Sequence, residues 1–213
     1  YITAGTLLNE PCKVSIVNVS DTLGNGRAIV LDFGMGRTSR LALYPDNPFA
    51  CIRHDISNPT TEALVMDKII TARMSLAAGP APTELKVLGC DGLTDASKER
   101  ASYSFLAVSD PASQAGIVGG WITHNRASGI VLSSVDGGTV QMQARSEYGT
   151  LRIPPGGSAT GEVFVVGRFD NALAGLEAYA DAAAKANEVK LRPPTAGYCT
   201  WYHAGASRQE KMA

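Results

Sequence analysis

Charge is scarce in this sequence, and so are most of the residues that usually carry chemistry. Asp, Glu, Lys and Arg make up 18% of the 213 residues and nearly cancel, for a formal net charge of −1. Such a balance exerts no general pull on nucleic acid or on an anionic membrane surface. No run approaches the ~20 consecutive apolar residues of a membrane-spanning helix. Composition therefore predicts neither a nucleic-acid partner nor a membrane partner.

Cysteine is sparse too. Cys12, Cys51, Cys90 and Cys199 are widely spaced, with no C-x-x-C pair. That excludes a dense disulfide framework and the paired-ligand spacing of structural zinc sites. Three of the four lie in strand-like apolar context, which predicts buried free thiols. The three histidines, His54, His124 and His203, stand far apart without a neighbouring Cys or His. G-x-S-x-G, H-E-x-x-H, a Walker loop and a complete G-x-G-x-x-G are all missing. Gly34-Met35-Gly36 supplies two glycines of the last pattern and reads as a hairpin turn. Tyr1 opens the chain without a charged-then-apolar leader, so a signal peptide is expected to be absent or already removed. Neither this nor the cysteine usage assigns a compartment.

What the sequence does have is alternation. Val140, Met142 and Ala144 alternate with Gln141, Gln143 and Arg145, the period of a half-buried strand. Leu85 and Val87, and Leu151 and Ile153, follow the same rule. Ala28–Phe33, Ala63–Met66, Gly116–Gly120, Ile130–Leu132 and Val163–Val166 are instead continuous apolar runs, which suit strands covered on both faces. Turn residues punctuate the series at Gly24-Asn25-Gly26, Pro45-Asp46-Asn47-Pro48, Gly79-Pro80-Ala81-Pro82 and Pro154-Pro155-Gly156-Gly157. Asp136-Gly137-Gly138 predicts a tight hairpin. Many strands, close turns and 45% apolar residues point to an all-β fold, a large antiparallel β-sandwich.

One helix interrupts the pattern. Asp170 is placed to cap it, and Ala172, Leu173, Leu176, Ala180, Ala183 and Ala184 recur at helical spacing until about Asn187. Asp181 and Lys185 are spaced for an i,i+4 pair. Lys190–Pro194 then reads as a linker, since two successive prolines bar helix. The expected organisation is a β-sandwich domain over 1–189, with its linker helix at about 170–187, and a second unit over 190–213.

Two polar-aromatic segments are candidate sites. Trp121-Ile122-Thr123-His124-Asn125-Arg126 could bind hydroxyls from a loop, although a core Trp beside a solvated turn is the simpler reading. In Pro193-Pro194-Thr195-Ala196-Gly197-Tyr198-Cys199-Thr200-Trp201-Tyr202-His203, strand alternation would turn Cys199 and Trp201 one way and Tyr198, Thr200 and Tyr202 the other. Tryptophan offers a large π face on which a sugar ring can stack. Asp91, Asp95, Asp110 and Asp136 sit in turn-like settings and read as turn residues.

The second segment resembles the Pro-Pro…Gly-Trp-Cys-Ser-Trp-Tyr strand of glycoside hydrolase family 36, the α-galactosidase and raffinose-synthase group. Tyr198 stands for the first Trp of that pattern and Thr200 for its Ser. The resemblance extends upstream through Gly119-Gly120-Trp121, the Pro-Pro-Gly-Gly turn, Glu162–Gly167 and Leu176-Glu177-Ala178-Tyr179-Ala180. It implies a supersandwich domain that precedes a catalytic (β/α)8 barrel, with 190–213 as the barrel's first βα stub. It further implies action on α-galactosides with retention, through two carboxylates about 5–5.5 Å apart. Those carboxylates belong to later barrel strands, so no catalytic residue, metal or cofactor is assigned within this chain. Trp201 is the implied substrate-binding residue, part of a galactose subsite wall. The implied partner is carbohydrate, and the β domain can also contribute to a homo-oligomer interface. Two other readings stand beside this one: an autonomous carbohydrate-binding module, and a purely structural sandwich.

Overall fold

The computed structural model describes residues 11–193 and residue 197. It opens with successive hairpins through β1 (Lys13–Asp21), β2 (Gly24–Asp32), β3 (Arg37–Tyr44) and β4 (Asn47–Ser57). Between β2 and β3, Gly34, Met35 and Gly36 take φ values of 71°, 50° and 76°. This is the left-handed region that glycine enters without steric cost, and the pair marks a hairpin turn. β5 (Leu64–Leu76) then starts a second sheet. The chain returns to the first sheet for β6 (Lys86–Gly89) and β7 (Gly92–Asp95), and crosses again for β8 (Arg100–Tyr103). β9 (Phe105–Ser109) and β10 (Gly116–Trp121) rejoin the first sheet. β11 (Ser128–Asp136) and β12 (Thr139–Ile153) form the long hairpin of the second. Short β13 (Ser158–Thr160) and β14 (Phe164–Phe169) lead into the helix α1 (Ala172–Ala186).

Among the described residues, the first sheet has ten strands in the order β1-β2-β3-β4-β14-β10-β9-β6-β7, with β13 beside β4. The second has four, in the order β5-β12-β11-β8. Every pairing is antiparallel. The fold is the all-β sandwich that the alternation implied, with one helix after it. No described helix is long and apolar enough to cross a membrane.

Two apolar layers hold it together. Met74, Val131, Met142 and Ala144 of the small sheet pack on Ile52, Leu106, Val108, Trp121 and Phe164 of the large one. The opposite face of the large sheet carries α1, whose Ala182 joins Val19, Leu23, Ala28, Ala42, Val118, Ile122 and Val165. Small residues let the helix sit close: Ala172, Gly175 and Ala182 are its buried positions. β10 and β14 thus have both faces covered, as their continuous apolar runs predicted.

The same expectation fails for two other runs. Ile29 on β2 is 43% exposed, and Leu64 and Val65 on β5 are 37% and 51% exposed. These strands lie where one layer ends before the other, so composition alone could not say whether a neighbour covers them. Three smaller expectations change as well. The helix cap is Asn171, whose side chain accepts from the Leu173 and Ala174 N–H groups, rather than Asp170. A tertiary bond sets that start, because the Ala172 N–H donates to the Gln114 carbonyl at 2.9 Å. Lys185 reaches the Leu23 carbonyl at 2.8 Å instead of pairing with Asp181. Of the free thiols, Cys51 is buried, Cys12 half-buried and Cys90 exposed, because Cys90 falls at the β6–β7 turn. Cys199 lies outside the described residues.

Candidate functional site

The 121–127 loop is built around one carboxylate. Glu162 is 3% exposed and accepts the Thr123 hydroxyl at 2.6 Å and the Arg126 and Ala127 N–H groups at 2.7 and 3.1 Å. Burial pushes its carboxyl up, but these hydrogen bonds outweigh it and hold the group below the usual carboxylate range. Thr123 Oγ1 also accepts the Val163 N–H at 2.8 Å, which ties the loop to the start of β14. Trp121 is 1% exposed. Its Nε1 donates to the Ile130 carbonyl at 3.2 Å, and its ring meets Phe164 edge-on at 5.4 Å. The indole lies against Gly129, where a Cβ would come within 2.3 Å of it. Trp121 is a core residue. His124 and Asn125 are exposed, so the loop presents no joined sugar platform.

A second place is the crevice of about 170 Å³ beside the C-terminal end of α1, lined by Asp21, Arg40, Tyr44, Cys51, Arg53 and Thr123 among others. The Tyr44 hydroxyl donates to Asp21 at 2.6 Å, and burial followed by that carboxylate drives its acidity down. Burial and the Asp21 charge push the Cys51 thiol up to about 12. A thiol held protonated in this way is no nucleophile. Arg40 and Arg53 are direct cross-strand partners, and Arg53 turns away to grip Asp55 through Nε and an Nη at 3.2 and 2.9 Å. The crevice has polar walls and no activated group.

A third place, a depression of about 540 Å³, lies on the small sheet and includes Arg73, Glu99, Leu132, Ser134, Gln141 and Gln143 in its lining. Register places Ala101, Leu132, Gln143 and Arg73 in one row across four strands, with Ser134, Gln141 and Ser75 in the next. Arg73 donates to Gln143 and Ser75 to Gln141, both at 2.7 Å. Tyr103, 64% exposed, occupies the adjoining row on the same face, opposite Ile130. Planar amides and guanidinium groups fixed on strands can pair with vicinal hydroxyls. Nothing in the row is an activated acid or base.

Glycoside cleavage needs a carboxyl raised toward neutrality as proton donor. The described carboxylates with a defined shift all move the other way. The Asp95 carboxyl is lowered by its hydrogen bond and charge contact with Lys86, and that of Asp110 by its bonds to Ser113 and the Ala112 N–H. Asp110 closes a turn, as read from sequence. His54 is wedged between the sheets, with Nδ1 2.5 Å from Ser39 Oγ and Nε2 2.9 Å from the Thr71 carbonyl. No cluster of three or more His, Cys, Asp or Glu able to hold a metal occurs among the described residues. Trp201 and His203 lie outside them, as does the stretch read as the barrel stub. Sequence reasoning missed Glu162 and His54. The usable signal for Glu162 was a lone charge directly before the apolar run Val163–Val166.

Likeness to solved structures settles the architecture. An α-galactosidase from Lactobacillus brevis is 12% identical, with a TM-score of 0.58 over 81% of this chain and 28% of its own. A family 36 α-galactosidase from Geobacillus stearothermophilus, solved with 1-deoxygalactonojirimycin, gives 14% and 0.60 over 80% and 29%. The sandwich has a family 36-like fold. The chain spans less than a third of the α-galactosidases it matches. A Klebsiella pneumoniae protein assigned as an aldose 1-epimerase is also similar, at 10% identity and a TM-score of 0.56 over 86% of this chain and 60% of its own. One architecture thus serves unlike proteins, and function has to be argued from sites. No family model and no curated protein matches the sequence.

Proposed function

We propose that this chain is the non-catalytic β-sandwich domain of an α-galactosidase-like glycoside hydrolase, with residues 1–189 as the sandwich and its linker helix and 190–213 as the entry to a catalytic barrel. The observation that carries the reading is a conjunction. A supersandwich with a family 36-like fold runs into one helix ending at Ala186, and seven residues later comes the Pro193-Pro194…Trp201 segment that resembles the family's first barrel strand. In this reading both carboxylates of the retaining mechanism reside in the barrel, the substrate is an α-galactoside, and Trp201 forms part of the galactose subsite wall.

The experiment is to assay the 213-residue chain, and the product of its gene with whatever coding sequence follows Ala213, against an aryl α-galactoside. The short chain should give no turnover. The longer product should hydrolyse the substrate with retention, seen by NMR of the first-formed anomer. Robust turnover by the 213-residue chain, or a longer product without α-galactosidase activity, counts against the proposal.

A second reading, a sugar-binding sandwich face, is favoured by the polar rows and exposed Tyr103 over the small sheet. Raffinose titration of the 213-residue chain and of Gln143→Ala separates the two. Saturable binding lost in the variant supports the second.

A further inference from the structure

One guanidinium on the large sheet has no acid to answer it. Arg40 is half-buried on β3, two residues before Ala42 and on the face that carries α1. Its partners across the sheet are Val30 on β2 and Arg53 on β4. Like charges directly opposite on paired strands repel. Neither neighbouring strand supplies a carboxylate in this row.

The carboxylates nearby are already engaged. Asp55 accepts Arg53 at Oδ2 and the Gly161 N–H at Oδ1, the latter at 3.3 Å. Asp21 accepts the Tyr44 hydroxyl at 2.6 Å with one oxygen and the Leu23 N–H at 2.9 Å with the other. The hydroxyls are used too. Thr123 donates to Glu162 and accepts the Val163 N–H, and Thr22 donates to the Ala186 carbonyl at 3.3 Å. Among the described residues, Arg40 forms no hydrogen bond and no ion pair. Arg53 spends Nε and one Nη on Asp55, and its other Nη bonds to nothing described. Of these polar groups, only guanidinium N–H donors are left without a partner.

We propose that the crevice lined by these residues binds a small oxyanion, a carboxylate or phosphate group clamped between Arg40 and the open Nη of Arg53. Opposite residues on antiparallel strands stand about 5 Å apart, so two guanidinium groups can share one oxyanion through charge-assisted N–H···O bonds. Occupancy replaces the repulsion across β3 and β4 with two attractions. Asp21 and Asp55 formally cancel the two arginines, so recognition rests on the placement of open donors rather than on net field. Leu23, Ala42 and Ile122 add apolar wall, which suits a short carbon body behind the anionic head. The crevice holds about 170 Å³, below the ~300–1,000 Å³ of pockets for drug-sized ligands. Its occupant is small. Every residue invoked belongs to the sandwich or its helix, so the site is independent of any barrel and of the proposed function.

Isothermal titration calorimetry of the 213-residue chain tests this with two probes, inorganic phosphate and lactate, at ionic strength fixed with sodium chloride. At least one should bind saturably with a Kd on the order of 1 mM or tighter, and the one that does assigns the anion. Arg40→Gln should weaken that binding at least ~10-fold, as loss of a charged partner requires. Arg40→Lys keeps the charge without the fork and should also bind more weakly than the parent. Arg168→Gln, at an exposed arginine on β14, should leave the affinity unchanged. Native fluorescence of buried Trp121 checks that each variant is folded. Without ligand, the urea midpoint of Arg40→Gln should equal or exceed the parent's, because the repulsion with Arg53 is gone. Absence of saturable binding by both probes would overturn the proposal, as would binding indifferent to Arg40→Gln or weakened equally by Arg168→Gln. A lower ligand-free midpoint for Arg40→Gln would give that side chain a structural partner and equally overturn it.

Discussion

The ring of Tyr179 occupies the space that a side chain at Gly120 would need: a Cβ there would lie 2.4 Å from the nearest ring carbon. The hydroxyl of the same tyrosine donates to the Trp121 carbonyl at 2.7 Å. One residue of α1 is thereby locked to the middle of the large sheet by both shape and a hydrogen bond. Burial pushes the phenol up to about 12, consistent with an un-ionised donor.

This contact gives the first prediction. Gly120→Ala must displace the ring and break its hydrogen bond, and should cost about 2–4 kcal/mol. Tyr179→Phe keeps the ring and should cost only about 1 kcal/mol. Urea unfolding should show lower midpoints with unchanged slopes. Equal costs for the two variants would mean that the ring's fit is not what seats the helix.

Glu162 predicts an acid limb of stability. Its carboxyl is lower in the fold than in the unfolded chain, so its contribution is fully present above the ordinary value of 4.5 and is lost as pH falls through the folded one. Glu162→Gln replaces an acceptor with a group that points N–H at N–H. It should cost about 2–3 kcal/mol at pH 7 and flatten the decline below pH 4.5. Unfolding free energies across pH 3–7, about the span where carboxylates titrate, provide the check.

His54 acts in a higher window. Burial lowers its pKa below 6.5, with the Thr71 carbonyl and Asp55 opposing. The folded state therefore holds fewer protons than the unfolded one just below 6.5. Stability should fall as pH drops from that value toward the folded pKa. His54→Gln should remove this slope and leave the one assigned to Glu162. A slope that persists in the variant would place its origin elsewhere.

For Trp201 the prediction follows from the proposed function. In the complete enzyme Trp201→Ala should raise KM and lower kcat on an α-galactoside, because a stacking wall is lost. On the same proposal, this change in the 213-residue chain should leave any weak galactose binding unaltered, because a barrel pocket needs all eight strands. Sub-millimolar, Trp201-dependent galactose binding by the short chain would favour an autonomous binding module.

Local chemistry was legible in the sequence. Val140, Met142 and Ala144 face the core as their alternation required, and Gly137 and Gly138 close the β11–β12 hairpin with φ of 56° and 75°. Both features depend on residues within a few positions of one another, through the two-residue period of a strand and the positive φ that glycine permits. The helix was legible for the same reason. Tertiary structure decided everything that depends on which distant segment arrives. Gly116–Gly120 and Ala28–Phe33 look alike as apolar runs, yet the first lies between a sheet and a helix while the second has lost one cover. Asn171 rather than Asp170 caps α1 because Gln114, 58 residues before Ala172, holds that residue in place. Glu162 became a buried anchor only when the 123–127 loop folded its N–H groups around it. A sequence records what each residue tolerates, whereas burial and pairing are set by partners that only the fold brings within reach.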